Sequence, residues 1–174
     1  DFYIDTPSLS FTDGHWASVP APAVLRSGFV NVYSTEGAAN LVSAFGGPIP
    51  GDVMTTDRTG VPGYETGDYM SQFNGTSAAA PMVSGIVALM LEANPDLGYR
   101  DVQDILAMTA RHTGSGMGAA PAGSERYVWE LNASTLWNGG GMHFSEDYGF
   151  GLVDALAAVR VAESWTRQRA RSNL

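Results

Sequence analysis

The stretch Asn74-Gly75-Thr76-Ser77-Ala78-Ala79-Ala80-Pro81 runs directly into the apolar segment Met82-Val83-Ser84-Gly85-Ile86-Val87-Ala88-Leu89-Met90-Leu91, and it decides how this chain is read. Asn-Gly marks a turn, the alanines and the apolar run mark a helix entering a core, and Ser77 stands at the join. A serine at that place has its hydroxyl near the free N–H groups and the positive end of the helix macrodipole, where an oxyanion is stabilised. Acyl transfer needs that arrangement. The same local sequence also fits a plain N-cap serine that satisfies one backbone N–H. The α/β-hydrolase elbow fits poorly, because it requires glycine two residues after its serine and Ala79 occupies that position.

Working outward, the helix opening near Ser77 is expected to end at Ala93, because Asn94 precedes Pro95 and a residue before proline resists the α region. Pro81 is expected in the first turn, where a missing N–H costs little. Upstream, Phe29-Val30-Asn31-Val32-Tyr33 alternates like a strand and Leu41-Val42-Ser43-Ala44-Phe45 resembles one, before Gly46-Gly47-Pro48 stops it. A short strand over 52–56 leads into residues 57–73, read as a solvent-facing loop. Downstream, a second helix over 99–110 carries the stripe Val102, Ile105, Leu106 and Met108. Residues 113–123 are rich in Gly, Ala and Ser and read as a surface loop. Residues 127–131 read as one side of a hairpin returning through Asn138-Gly139-Gly140-Gly141. A last helix over 152–165 presents Val153, Leu156, Ala157, Val159 and Ala162. Residues 1–26, with Pro7, Pro20 and Pro22 and no sustained period, read as irregular. No internal repeat is present.

The 174 residues fit one ordinary domain or a large piece of a bigger one, and 44% hydrophobic with 16% charged content permits a substantial core. A net charge of −9 with only nine Lys and Arg excludes the basic stripe that phosphate binding requires, so no nucleic-acid partner is expected. The absence of cysteine excludes disulfides, a thiol nucleophile and Cys-based zinc sites, and leaves the compartment open. The longest apolar stretch, residues 78–91, is too short to span a bilayer and contains Pro81 and Ser84, so it reads as a core helix. No charged n-region followed by an h-region starts at Asp1, which is expected of a cytosolic chain or of one whose start is missing.

Gly75-Thr76-Ser77-Ala78-Ala79-Ala80-Pro81 resembles the signature around the catalytic serine of subtilisin-like serine proteases. Leu91-Glu92-Ala93-Asn94-Pro95-Asp96-Leu97, Tyr99-Arg100-Asp101-Val102-Gln103 and Asp147-Tyr148-Gly149-Phe150-Gly151-Leu152-Val153-Asp154-Ala155 resemble the kexin and furin-like branch, its bacterial members in particular. Tyr33-Ser34-Thr35-Glu36-Gly37-Ala38 and Thr55-Thr56-Asp57 match more loosely. The resemblance covers residues 28–165. It implies an α/β fold, the C-terminal part of a three-layer subtilisin-like domain with a mostly parallel sheet and a buried nucleophile helix. It also implies a serine endopeptidase that hydrolyses peptide bonds through a Ser77 acyl-enzyme, with Gly75 and Thr76 supporting the serine and the Ser77 N–H donating to the oxyanion. Residues 1–27 stand outside it as an atypical lead-in, and 166–174 read as a linker where that branch continues into a β-sandwich P domain. Secretion or attachment to the cell envelope, a peptide or protein substrate, and structural calcium without an organic cofactor follow from the same likeness. Glu36 corresponds to an acidic calcium ligand of furin-like proteases. Cleavage after basic residues carries over only weakly, since the acidic residues responsible belong upstream.

The family places its aspartate and histidine before the serine, with the histidine followed by Gly-Thr, and an asparagine upstream completes the oxyanion hole. His15 precedes Trp16, and His112 and His143 follow Ser77, so none of the three histidines fits. The resemblance therefore implies that base, carboxylate and second oxyanion donor lie in another part of the protein and that these 174 residues are inactive alone. A catalytically dead module retained for binding is the alternative.

The remaining candidates have plain readings. Glu36 is equally a surface glutamate, and Asp52, Asp57 and Asp68 read as solvated loop carboxylates. His112 and His143 lack a second ligand at metal-binding spacing. Asn138 to Gly141 has no lysine after it and is a turn, not a phosphate loop. The sequons at Asn74 and Asn132 carry little information.

Overall fold

The structure is a computed structural model that describes residue 15, residues 17–132 and residues 141–166. Its centre is a small parallel pair, β1 (Ala23–Val24) and β2 (Ala44–Phe45), in the register Ala23 to Ala44 and Val24 to Phe45. Backbone bonds from Leu41 to Pro20, Ala44 to Pro22 and Gly46 to Val24 lengthen the pairing, and Ser43 bridges Leu152 in parallel on the far side. An antiparallel hairpin, β3 (Val53–Thr56) with β4 (Tyr69–Phe73), then delivers the chain to Asn74 and helix α1 (Thr76–Ala93). Helix α2 (Tyr99–Thr109), the antiparallel pair β5 (Glu130–Leu131) and β6 (His143–Phe144), and helix α3 (Ala155–Ser164) complete the described elements.

Successive strand residues point to opposite faces, and β1 uses both. Ala23 joins Val42 and Ala44 under the helices, against Ala79, Val83 and Met90 of α1, Ile105 and Leu106 of α2, and Ala158 and Ala162 of α3. Val24 joins Val30, Trp129 and Tyr148 in a second cluster. The layering is therefore helices, strands, and the Trp129–Tyr148 cluster, an α/β arrangement. Among the described residues the parallel character is confined to β1, β2 and the Ser43–Leu152 bridge, while the other two strand pairs are antiparallel hairpins.

Several expectations need correcting. Residues 1–26 were expected to be irregular, yet Ala23–Val24 is the central strand, because its pairing partner lies far along the chain and leaves no local period. Phe29 to Tyr33 is not a continuous strand; only Val30 bridges, to Val24. The expected loop over 57–73 contains β4. Pro81 is the sixth residue of α1 rather than in its first turn, so it removes the N–H that would bond the Ser77 carbonyl. The last helix starts at Ala155, capped by the Asp154 carboxylate, which accepts the Ala157 N–H at 2.9 Å. The expected turn through Asn138 and Gly141 falls mostly, and the tail after Thr166 wholly, outside the described residues.

Helix α1 is buried along one side only, through Ala78, Ala79, Val83 and Met90. By length and composition it could cross a membrane, but here it packs on α3, β1 and β2.

Candidate active site

Ser77 is the second residue of α1. The chain reaches it through Gly75, whose φ of 99° lies in the region that favours glycine, and a Cβ there would meet only Ser77, in ordinary contact at 3.6 Å or more. The turn is fixed from below. The Gly75 N–H donates to Gly46 O at 2.8 Å and to Tyr33 Oη at 3.1 Å, and the Asn74 side chain donates to Pro48 O at 2.9 Å. Tyr33 Oη in turn lies 2.7 Å from Gly46 O and 2.6 Å from Gly47 O, as donor to these carbonyls. Burial pushes the Tyr33 pKa up against the lowering effect of the Gly75 N–H, and Asp52 adds to the rise, so the hydroxyl keeps its proton to donate. Gly46 must be glycine for a different reason: a Cβ there would run into the Ala23 side chain and sit 2.8 Å from Gly75 O.

Within this turn the Ala78 N–H bonds Gly75 O at 3.0 Å. Among the described residues, neither the Ser77 N–H nor Ser77 Oγ has a hydrogen-bond partner. That N–H belongs to the free first turn of the helix, aligned with its dipole, and is available to an anion beside the hydroxyl. Ser77, Thr76 and Ala80 open onto a cleft of about 400 Å³. Val19, Pro20, Ala21 and Pro22 form one wall, and Thr35 with the buried Asn40 forms another. Asn40 is occupied there, donating to Thr35 O and Glu146 O at 3.0 and 2.9 Å. Residues 19–22 were set aside in the sequence as unassigned lead-in. Their signal was the spacing of Pro20 and Pro22, which forbids helix and keeps the segment extended.

The sequence-predicted Gly75, Thr76 and Ser77 are thus brought together. The histidines are not with them: His112 and His143 pack around Trp129, with ring centroids 4.8 and 5.4 Å from it, and among the described residues no histidine or carboxylate lines the Ser77 cleft. Burial, with help from neighbouring His112, lowers the His143 pKa and keeps that ring neutral within its aromatic cluster. Glu36 is elsewhere as well. Its Oε2 accepts from Arg126 Nη1 at 2.6 Å. A calcium ion would need to approach that oxygen to about 2.3–2.6 Å, so the arrangement at Glu36 does not fit calcium while the guanidinium is there.

Known proteins resemble this chain in sequence and fold. The family model described as "Subtilase family" matches residues 23–151. Proprotein convertase subtilisin/kexin type 5 of Branchiostoma californiense is 36% identical over 159 residues, covering 86% of this chain and 8% of that protein. Proprotein convertase subtilisin/kexin type 6 of Homo sapiens is 47% identical over 92 residues, covering 53% of this chain and 8% of that protein. The crystal structure of the serine protease of Aeromonas sobria superposes with a TM-score of 0.72 at 30% identity, covering 86% of this chain and 30% of that one. The chain thus spans about a tenth of the length of the convertases it matches and under a third of the Aeromonas protease. With the glycine-led turn, the serine at the head of α1 and these matches together, the chain belongs to the subtilase family of subtilisin-like serine proteases.

Proposed function

We propose that the full-length protein is a serine endopeptidase in which Ser77 is the nucleophile. The observation that carries this reading is Ser77 at the head of α1, with its hydroxyl and N–H both unengaged and facing a cleft. In the reaction Ser77 Oγ attacks the scissile carbonyl carbon while its proton passes to a base. The carbonyl oxygen becomes an oxyanion within reach of the Ser77 N–H, and collapse of the intermediate expels the amine and leaves an acyl-enzyme that water hydrolyses. Gly75 and Thr76 set the turn that presents the serine. The base, its orienting carboxylate and a second oxyanion donor come from another part of the full-length protein, because a serine hydroxyl alone is a weak nucleophile at neutral pH. Peptide or protein substrates follow from this chemistry. Secretion, a following P domain and a preference for basic residues are proposals that rest on the convertase likeness alone.

One observation favours a second reading: among the described residues no histidine or carboxylate lines the cleft, as expected of a catalytically dead module that only binds. A fluorophosphonate probe separates the two. The full-length protein is expected to be labelled at Ser77, with labelling lost in Ser77→Ala, whereas labelling that never depends on Ser77 sinks the enzyme reading. The 174 residues alone are expected not to turn over a peptide substrate.

A further inference from the structure

Residues 32–36, which give Thr35 to the Ser77 cleft, are clamped from behind by Arg126. Its Nη1 donates to Glu36 Oε2 at 2.6 Å and to Ser34 O at 3.2 Å, and its Nη2 donates to Val32 O at 3.3 Å. A second carboxylate completes the cradle. The Asp147 side chain is fully buried, and its Oδ2 accepts the Arg126 and Tyr127 N–H groups at 2.7 and 2.8 Å. Its Oδ1 has no hydrogen-bond partner and faces Arg126 Nη1 at 4.0 Å. Two carboxylates and two carbonyls thus converge on one guanidinium. Oxygen atoms alone, carrying two negative charges, are the donor set of a hard divalent cation, which takes six to eight oxygens with water making up the remainder.

We propose that Arg126 is the resident counter-cation of this cradle: its guanidinium takes the place of a divalent ion between Glu36 and Asp147, and removing it converts the cradle into a calcium site. Arg126 and a calcium held in this cradle exclude each other, because an ion bridging Glu36 Oε2 and Asp147 Oδ1 would have to take the position of Nη1, which faces those oxygens at 2.6 and 4.0 Å. The arginine also does what a bare ion does less well, since its planar fork holds the Val32 and Ser34 carbonyls in fixed directions and so fixes the backbone on both sides of residue 33. The Thr35 side of the cleft is therefore held from within the chain. Unpartnered Asp147 Oδ1 is the oxygen that a smaller, more highly charged ion would engage once the guanidinium is gone.

The test counts calcium bound per chain by equilibrium dialysis at neutral pH, on the full-length protein carrying Ser77→Ala so that self-cleavage cannot intervene. Arg126→Ser is expected to bind about one calcium more than its parent, and adding Glu36→Gln to return the count to the parent value. Glu36→Gln by itself is expected to leave the count unchanged. An Arg126→Ser protein that binds no additional calcium overturns the proposal. So does loss of a calcium on Glu36→Gln alone, and this second arm decides the matter even if Arg126→Ser does not fold. The count is independent of whether Ser77 is a nucleophile.

Discussion

Gly75 shows how a single residue carries both backbone and chemistry. Its φ of 99° turns the chain out of β4 so that the next two residues start α1, and its N–H is held by Gly46 and Tyr33. A side chain at this position would meet nothing closer than 3.6 Å, so the cost of one comes from the backbone alone. Gly75→Ala is expected to destabilise the protein by about 1–3 kcal/mol, because φ of 99° with ψ of 174° is a backbone region essentially reserved for glycine. It should also lower Ser77-dependent labelling by the fluorophosphonate probe more than the stability loss explains, because relaxing φ moves Ser77 relative to the cleft. Urea denaturation together with labelling rate separates the two effects, and wild-type labelling in a destabilised variant would refute the positioning role. The sequence made this residue legible because glycine before a serine-led helix has few other uses. It gave no sign of Tyr33, since nothing local says that a tyrosine 42 positions away supports that turn.

At the level of elements, legibility followed the range of the interactions. The helices α1 and α2 were readable because their limits are local: Asn94 before Pro95 ends one, and the Val102, Ile105 and Leu106 stripe marks the other. Strands β1 and β4 were not. β1 is two residues long and exists through a partner more than twenty residues away, and β4 shows no clean alternation of buried and exposed positions. The same distinction explains Asp101, which looks like an ordinary first-turn acid of α2 but is buried. Its Oδ2 accepts the Gly98 N–H at 2.7 Å, and its Oδ1 accepts the Trp165 indole N–H at 2.9 Å, so one carboxylate caps α2 and ties it to the end of α3. Asn94 makes the matching tie from α1, donating to Ala162 O and Trp165 O. Asp101→Ala is expected to cost about 2–3 kcal/mol, in the range for hydrogen bonds to charged groups, because it leaves both donors unmatched. Asp101→Asn keeps one acceptor and should lose less. Denaturant midpoints of the two variants check this, and an Asp101→Ala loss under about 0.5 kcal/mol would place the tie elsewhere.

For the whole molecule, the decisive feature is the side of α1 that this chain leaves open. The resemblance implied a buried nucleophile helix, and the side bearing Ala79, Val83 and Met90 is buried. The opposite arc presents Met82, Gly85, Ala88 and Leu89 to the outside, with Leu89 51% exposed and Glu92 the one charged residue in the helix. A helix face meant for water is polar, and an apolar one marks a surface that some other polypeptide covers. Sequence alone could not separate the two sides, because α1 is apolar nearly all round. What covers the open arc therefore determines how the 174 residues behave by themselves. Prepared alone, they are expected to self-associate with rising concentration, as read by sedimentation velocity, and Leu89→Lys is expected to suppress that association by placing a charge in the middle of the arc. In the full-length protein the same substitution should instead lower stability by about 2 kcal/mol or more, since there it would bury a charge without a partner. A Leu89→Lys full-length protein as stable as the parent would mean that the arc faces water in the intact molecule, and the apolar composition of α1 would then need another cause.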